Sequence, residues 1–564
     1  MSMAPGSPPA APPSTPPASH WLDRVRFPLL VVLVCGGIFV SPHVGIALGL
    51  DPAPVFPYLM LTQLALPLGV LLLALWWLFF SGLPWLVRLV GVFIVAPAVA
   101  AGGYFSIRKV ELTTTDVGMV PILHFIWEPT AQELYAAHRA RESTNANDLP
   151  KIDATVGPED FARYRGPRAD GIVSHLKLFT EWNQRPPEVV WKHPCVEGYS
   201  GLAVAGNVVV TIEQRGDPKK EEPLRESIVC YDRATGRERW VHDSKVFYKD
   251  GMNMGDGPRS TPTIHDGRVF TVGATGQLTA LTAEGKLLWE VNILEDSKAK
   301  NITWGLTGSP LIVGDLVVAH AGIDPDHPVA AGAALVAFEQ ATGKKRWAVG
   351  NRKAGYSSPQ LATLAGVPQI LLFDGEGLVS YDPATQAELW KFPWVTKMDM
   401  NMIQPVVVGT DRVFISSEPM ENGATMLRVK ASENGRADWS VEPVWKNKSF
   451  GARFANPVTD GKRIFGLNGV VGVLTCLDAN DGRLLWKGER CGAGQMLLVG
   501  DTLMVVTAKG VVSLFDPTAD EAKELAQYKL LDASTKTWNT PALAGDQLFV
   551  RNQREIACLK LPRR

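Results

Sequence analysis

Apolar positions fall into two regimes along the chain. Uncharged runs dominate up to about residue 107, where Asp23, Arg24, Arg26, Asp51 and Arg88 are the only charged side chains. Beyond about residue 190, short apolar stretches alternate with Gly/Asp turns. The first regime predicts membrane helices. Stretches 27–50, 56–80 and 85–105 each reach the ~20 residues that a bilayer crossing needs, and Ser81-Gly82-Leu83-Pro84 separates the last two. The Pro/Ala/Ser-rich segment before them lacks the material for a core and is expected to be disordered. Arg24, Arg26 and Arg88 place the N-terminus and second loop in the cytoplasm under the positive-inside rule, although Arg108 and Lys109 oppose it. The expected organisation is a tail at 1–26, three transmembrane helices within 27–107, a tether at 108–187 and a β domain at 188–564. The expected location is the cytoplasmic membrane, multi-pass, with the C-terminal domain extracytoplasmic.

The second regime repeats itself. A small residue, an apolar one and a turn ending in Trp recur in CYDRATGRERW (230–240), ALTAEGKLLW (280–289) and AFEQATGKKRW (337–347). They return in SYDPATQAELW (380–390), VKASENGRADW (429–439) and CLDANDGRLLW (476–486). A seventh copy from Ser513 lacks its Trp, and an eighth around Cys558 stops before its turn. Two more strands with a Gly/Asp turn precede each copy, as in TPTIHDGRVFTVG at 261–273. Four short strands per unit of this length predict propeller blades. EVVWKH at 188–193 supplies the strand missing from the last unit, so the fold class is an all-β eight-bladed propeller closed by its own first strand, which removes exposed sheet edges.

Composition narrows the chemistry. With 56 basic and 57 acidic residues the net charge is −1, so nothing marks a nucleic-acid surface. The six cysteines form no CxxC or CxxCH motif, and Cys230, Cys476 and Cys558 fall in the column of small residues, where Cys packs as a small hydrophobe.

The ATG-x-x-x-W turn and the blade count resemble the pyrroloquinoline-quinone-like repeat of quinoprotein alcohol dehydrogenase-like propellers. YRGPRADGI at 164–172 and GDGPRSTPTIHDGRVFTVGATG at 255–276 resemble a membrane-anchored bacterial subgroup. That superfamily holds both alcohol dehydrogenases and a non-catalytic lipoprotein that assists outer-membrane protein assembly. The resemblance implies pyrroloquinoline quinone (PQQ) and calcium as cofactors. The adjacent Cys–Cys pair and the haem motif of the best-known dehydrogenases are missing from this chain, and one fold serves several chemistries.

Long insertions at 214–227, 243–258, 322–332, 392–403 and 440–453 lie where first strands start and second strands end, which makes that face the functional one. One column at its mouth runs Thr261, Ser309, Ser358, Gln404, Asn456, Gln495 and Thr540, and another holds Glu213, Asp374, Glu418, Asn468 and Asn552. The candidate ligand-binding residues are Arg259, Glu213, Asp374, Glu418, Asp256, Tyr356, Trp304 and Trp538. Carboxylates there are candidates for calcium, and Asp256 or Glu213 is an expected ion-pair partner for Arg259. His320 and His327 flank one insertion as a weaker metal candidate. The expected function is a membrane-tethered, non-catalytic scaffold for protein or small polar ligands. The alternatives are a PQQ-dependent oxidoreductase and a polysaccharide sensor stacking sugars on Trp304 and Trp538.

Overall fold

The computed structural model describes residues 26–35, 37–38, 56–115, 118–141, 149–216, 223–252, 254–326, 333–419, 421–431, 439–533 and 535–564. It divides into two compact units, Met1–Arg108 and Lys109–Arg564. The expected tail and much of the first expected span lie outside the described residues, as does His327.

In the first unit, helix Phe56–Phe80 is followed by Trp85–Val90, a π-helical turn Gly91–Val95 and helix Ala96–Ser106. Arg88 locks the corner between the first two by donating to the carbonyls of Leu83 (2.7 Å) and Leu78 (2.8 Å). Side chains of the first helix are described only from Leu68 onward. Among the described residues, no helix is long and apolar enough to cross a membrane. Three spanning helices are therefore not supported, and the third expected span runs without a gap from Trp85 to Ser106 through a π-helical turn.

The second unit contains eight antiparallel sheets of the expected kind. Blade one comprises Ala203–Ala205, Val208–Arg215, Arg225–Asp232 and Glu238–Ser244. The sheets beginning at Thr263, Leu311, Gln360, Val406, Val458 and Gln495 are blades two to seven. Blade eight takes Ala542–Ala544, Gln547–Arg551 and Glu555–Lys560 from the C-terminus and Glu188–Pro194 as its outer strand, with Cys558 opposite Trp191. First strands of neighbouring blades touch, including those of blades eight and one, so the ring is closed.

The register explains the repeat. In every blade the third and fourth strands slip by one residue, in six of them just after the small-residue position, for example between Cys230 and Tyr231 and between Ala280 and Leu281. Such a bulge sharpens the local twist. An Asp two residues after the small residue caps the turn that follows: the Asp232 carboxylate accepts the amides of Ala234 (3.1 Å) and Thr235 (2.9 Å). The Trp opposite the small residue reaches into the next blade. Trp240 donates its indole N–H to the Ala283 carbonyl (2.8 Å) and lies against Gly285, where a Cβ would stand 2.5 Å from the ring. Trp289, Trp445, Trp486 and Trp191 donate in the same way to Gln340, Ala479, Ala519 and Arg233.

Two copies shift from the expected alignment. In blade five the third and fourth strands are long, and the pair beside the bulge is Met426 with Trp445, while Trp439 pairs Ala431 at the far end. In blade seven it is Leu514 opposite Ala526, one residue beyond Ser513. The cysteine expectation stands: Cys195, Cys230, Cys476, Cys491 and Cys558 are free and buried, and burial raises every one of these thiols, Cys195 to about 12.

Residues ahead of the ring pack on it. Helix Ala131–Arg141 lies against the outer strand of blade eight. Segment 153–178 crosses the face opposite the insertions. It bonds Asn207, Gly545 and Gly500 in the turns of blades one, eight and seven, and Ile172–Val173 adds a parallel strand to blade seven. Phe161 bonds Val204 of blade one, Ala162 accepts from Ile264 of blade two, and the buried Arg165 donates to Pro457 of blade six (2.8 Å). The segment therefore straps the centre of the ring.

If the Trp column locks blade to blade, Trp445→Ala costs about 3–5 kcal/mol and Trp439→Ala about half that or less. Urea unfolding midpoints of the two variants check this, and equal losses would contradict the register assigned to blade five.

Candidate functional site

The first polar column is a circular ladder. The Thr261 amide of blade two donates to Ser309 Oγ of blade three (2.9 Å), and the Ser309 amide to Ser358 Oγ of blade four (2.9 Å). The Ser358 amide then donates to Gln404 Oε1 (3.2 Å), and the Gln404 amide to Asn456 Oδ1 (2.6 Å). From blade two to blade six, each first strand thus satisfies a buried amide with its neighbour's side chain, as buried backbone groups require. The column binds blades together.

The acidic column is braced by arginines, and its members do not converge. Glu213, fully buried, pairs with Arg215 (2.9 Å), accepts from Tyr231 Oη (2.8 Å) and faces Arg551 at 4.0 Å. Asp374, also fully buried, is held bidentately by Arg352 and accepts the Gly377 amide (3.0 Å). Glu418 pairs with Arg453 (3.1 Å). Asp256 accepts the Asp250 amide (2.8 Å) and organises its own loop.

Arg259, Trp304, Tyr356 and Trp538 do come together. They line a cavity of about 330 Å³ at the mouth, with Tyr164, Tyr199, Phe454, Arg453 and five methionines, Met252, Met254, Met398, Met400 and Met402. Arg259 donates to the carbonyls of Trp304 and Gly255 (2.7 Å each), and its guanidinium lies 4.8 Å from the centre of the Tyr199 ring. Neither expected carboxylate partner reaches it: among the described residues Arg259 has no ion pair. Gly255 (φ +114°) is needed beneath it, since a Cβ there would stand 2.0 Å from Tyr199 Oη. Lys536, almost fully buried, sits 4.6 Å above the Trp538 ring and donates to the Met254 carbonyl. Tyr164 reaches the cavity from the strap and accepts from Asn456 Nδ2 (2.8 Å).

Sequence reading missed the methionines and Lys536. Spacings M-x-M at 252–254 and M-x-M-x-M at 398–402, in two of the five insertions, were the available signal. Trp538 is stacked on Phe454 at 5.1 Å, and Trp304 lies against Tyr356 at 5.6 Å. Each indole thus already has an aromatic neighbour, which weakens the sugar-platform expectation. His320 is buried, and burial lowers its pKa to about 4, which keeps the ring neutral.

Glu226 is a second residue that the sequence did not flag. Its Oε1 accepts the Ala274 amide (3.1 Å), and the Ala274 carbonyl accepts from Leu306 (2.9 Å) and Asn301 (3.0 Å), on either side of Trp304. Burial raises its carboxyl to about 7.

Calcium beside a quinone needs oxygen ligands, carboxylates above all. No carboxylate among the described residues lines the cavity, and Glu418, which pairs with the lining Arg453, is held by it. Among the described residues no group of three or more His, Cys, Asp or Glu is placed to hold a metal ion. The mouth residues therefore do not fit a calcium-assisted quinone.

The class is thus an eight-bladed propeller of the quinoprotein-like repeat type, with arginine-braced carboxylates and a methionine–aromatic mouth. The model of the family described as outer membrane protein assembly factor BamB matches residues 224–444 and 428–561, and the chain belongs to that family. The outer membrane protein assembly factor BamB of Burkholderia pseudomallei (strain K96243) is 25% identical over 342 residues, covering 58% of this chain and 77% of that protein. The quinohemoprotein alcohol dehydrogenase of Comamonas testosteroni superposes with a TM-score of 0.51 at 12% identity, covering 72% of this chain and 82% of that one, which shows a shared fold. These findings correct the expected location. No described helix is long and apolar enough to cross a membrane, and the family is named for work at the outer membrane, so a multi-pass protein of the cytoplasmic membrane is not supported.

The raised Glu226 carboxyl has a definite pH signature. With a folded pKa near 7 against 4.5 for the ordinary group, the folded chain binds the extra proton in between. Its contribution is complete below about pH 4.5 and is lost as pH rises through 7. Glu226→Gln is expected to flatten that slope and to stabilise the chain at pH 8 by on the order of 2 kcal/mol. Unfolding midpoints at pH 5 and pH 8 check it, and parallel pH profiles for the two proteins would contradict it.

Proposed function

We propose that this chain is a non-catalytic scaffold that binds protein partners through the loops of its insertion-rich face. The observation that carries this reading is the division of labour at the mouth. Each acidic side chain of the second column is engaged by an arginine, while the cavity is lined mainly by Met, Trp, Tyr, Phe and Arg, with Thr307, Asn456, Gln495 and Thr540 between them. That set is the one enriched at the cores of protein interfaces. Relatives named for outer membrane protein assembly support a role in holding other proteins.

A tether is part of the reading. In the N-terminal unit Phe79, Phe80, Trp85, Leu86, Tyr104 and Phe105 are all exposed, and apolar surface of this kind seeks lipid or another apolar partner. The alternative of a quinone-dependent oxidoreductase draws on the aromatic and cationic walls alone, since calcium lacks its carboxylates there.

Site-specific photocrosslinking in cells tests the scaffold. A crosslinker at Phe247 or Val395, exposed on the insertion loops, is expected to give discrete protein adducts. One at Asp266 or Asp315, in turns of the opposite face, is expected to give none. Adducts on both faces alike, or on neither, would contradict the proposal.

A further inference from the structure

The two loops that supply the methionines are built to present them. In the first, the Asp250 carboxylate accepts the amides of Met252 (2.9 Å) and Met254, which curls the backbone beneath both side chains. In the second, Asn401 is fully buried and donates to the carbonyls of Asp374 (2.7 Å) and Trp394 (2.9 Å), while its own carbonyl accepts the Tyr356 amide (2.9 Å). Pinned there, the chain turns Met398, Met400 and Met402 to the cavity on alternate positions. Met398 and Asp399 are both left-handed at φ +55°, a conformation that costs on the order of 1 kcal/mol or more per residue and persists where its surroundings impose it.

Thioethers alone would suit a soft cation such as Cu(I). The charges oppose that. Arg259 and Arg453 line the cavity and no carboxylate among the described residues does, while Lys536 lies over its Tyr199 and Trp538 rings. In a partly desolvated site, like-charge repulsion over such distances amounts to kcal/mol. Apolar surface continues onto the rim, where Met252, Met398, Phe247 and Val395 are 47–67% exposed. A volume of about 330 Å³ sits at the low end of ligand pockets, enough for one bulky side chain.

We infer that this cup seats a bulky apolar or aromatic side chain of a partner protein, on a peptide segment with carboxylates on either side of it. The inference rests on the scaffold reading and names the chemistry of its partner. Unbranched, polarisable methionines re-pack around side chains of different shape. Arg259, which lines the cavity without an ion pair among the described residues, supplies the charge complement.

Calorimetry on the full-length chain in detergent tests this with three ten-residue synthetic peptides. One carries a Phe between two Asp, the second replaces Asp with Lys, and the third replaces Phe with Ala. The first is expected to bind about tenfold more tightly than either control, the scale of one hot-spot contact. Met252→Ser combined with Met398→Ser, two exposed positions, is expected to weaken it about fivefold or more without moving the unfolding midpoint. Arg259→Gln is expected to weaken it and reduce its salt dependence. Equal affinity for the three peptides, no binding of the first, or an affinity that the methionine pair leaves unchanged would overturn the inference. Any of these results alongside face-specific adducts at Phe247 or Val395 would leave the scaffold standing without its acidic–aromatic partner.

Discussion

The hydrogen bond passed from one blade to the next is the interaction on which this propeller depends. At the centre, the amide that opens a first strand donates to a side-chain oxygen of the following blade, from Thr261 through Ser309, Ser358 and Gln404 to Asn456. Toward the rim, a Trp donates to a carbonyl in the following blade and covers a turn glycine. The ring closes because Glu188–Pro194 completes the last sheet. Rigid geometry at the mouth follows, since each loop there hangs between two locked strands.

That rigidity is what the acidic residues serve. A carboxylate buried beside a loop is costly unless it is paired; Glu213 meets Arg215 of its own strand, and Asp374 and Glu418 meet Arg352 and Arg453 from loops. Asp374 also fixes the start of its own hairpin and, through its carbonyl, the Asn401 clip. The same residue types that make a calcium site in a quinoprotein-like ring act here as struts. The strap at 153–178 closes the other side, so the mouth is a cup with Tyr164 contributing to its wall.

Much of the fold was legible because the repeat is physical. The small residue, the bulge, the capping Asp and the Trp form one unit that recurs wherever a blade must dock on the next. Reading slipped where that unit was stretched. Trp439 mimics the repeat Trp in sequence, but the lengthened strands of blade five hand the role to Trp445. Site residues were half legible. Arg259, Trp304, Tyr356 and Trp538 converge because they flank first strands, which share one centre. The carboxylates end second strands, and their fate depended on Arg215, Arg352 and Arg453, whose positions only the folded loops determine. Methionine alternation was visible but carries no chemistry until two separate loops meet. Length and hydropathy suggested spanning helices, whereas among the described residues no helix is long and apolar enough to cross a membrane.

The central claim is that the mouth is a binding cup whose carboxylates are structural. Titrating the purified full-length chain with PQQ, in the presence and absence of calcium, tests it most directly. The account predicts no calcium-dependent, saturable binding and no calcium-dependent shift in the unfolding midpoint. Saturable binding of the quinone that requires calcium and is lost in Asp374→Asn would contradict it.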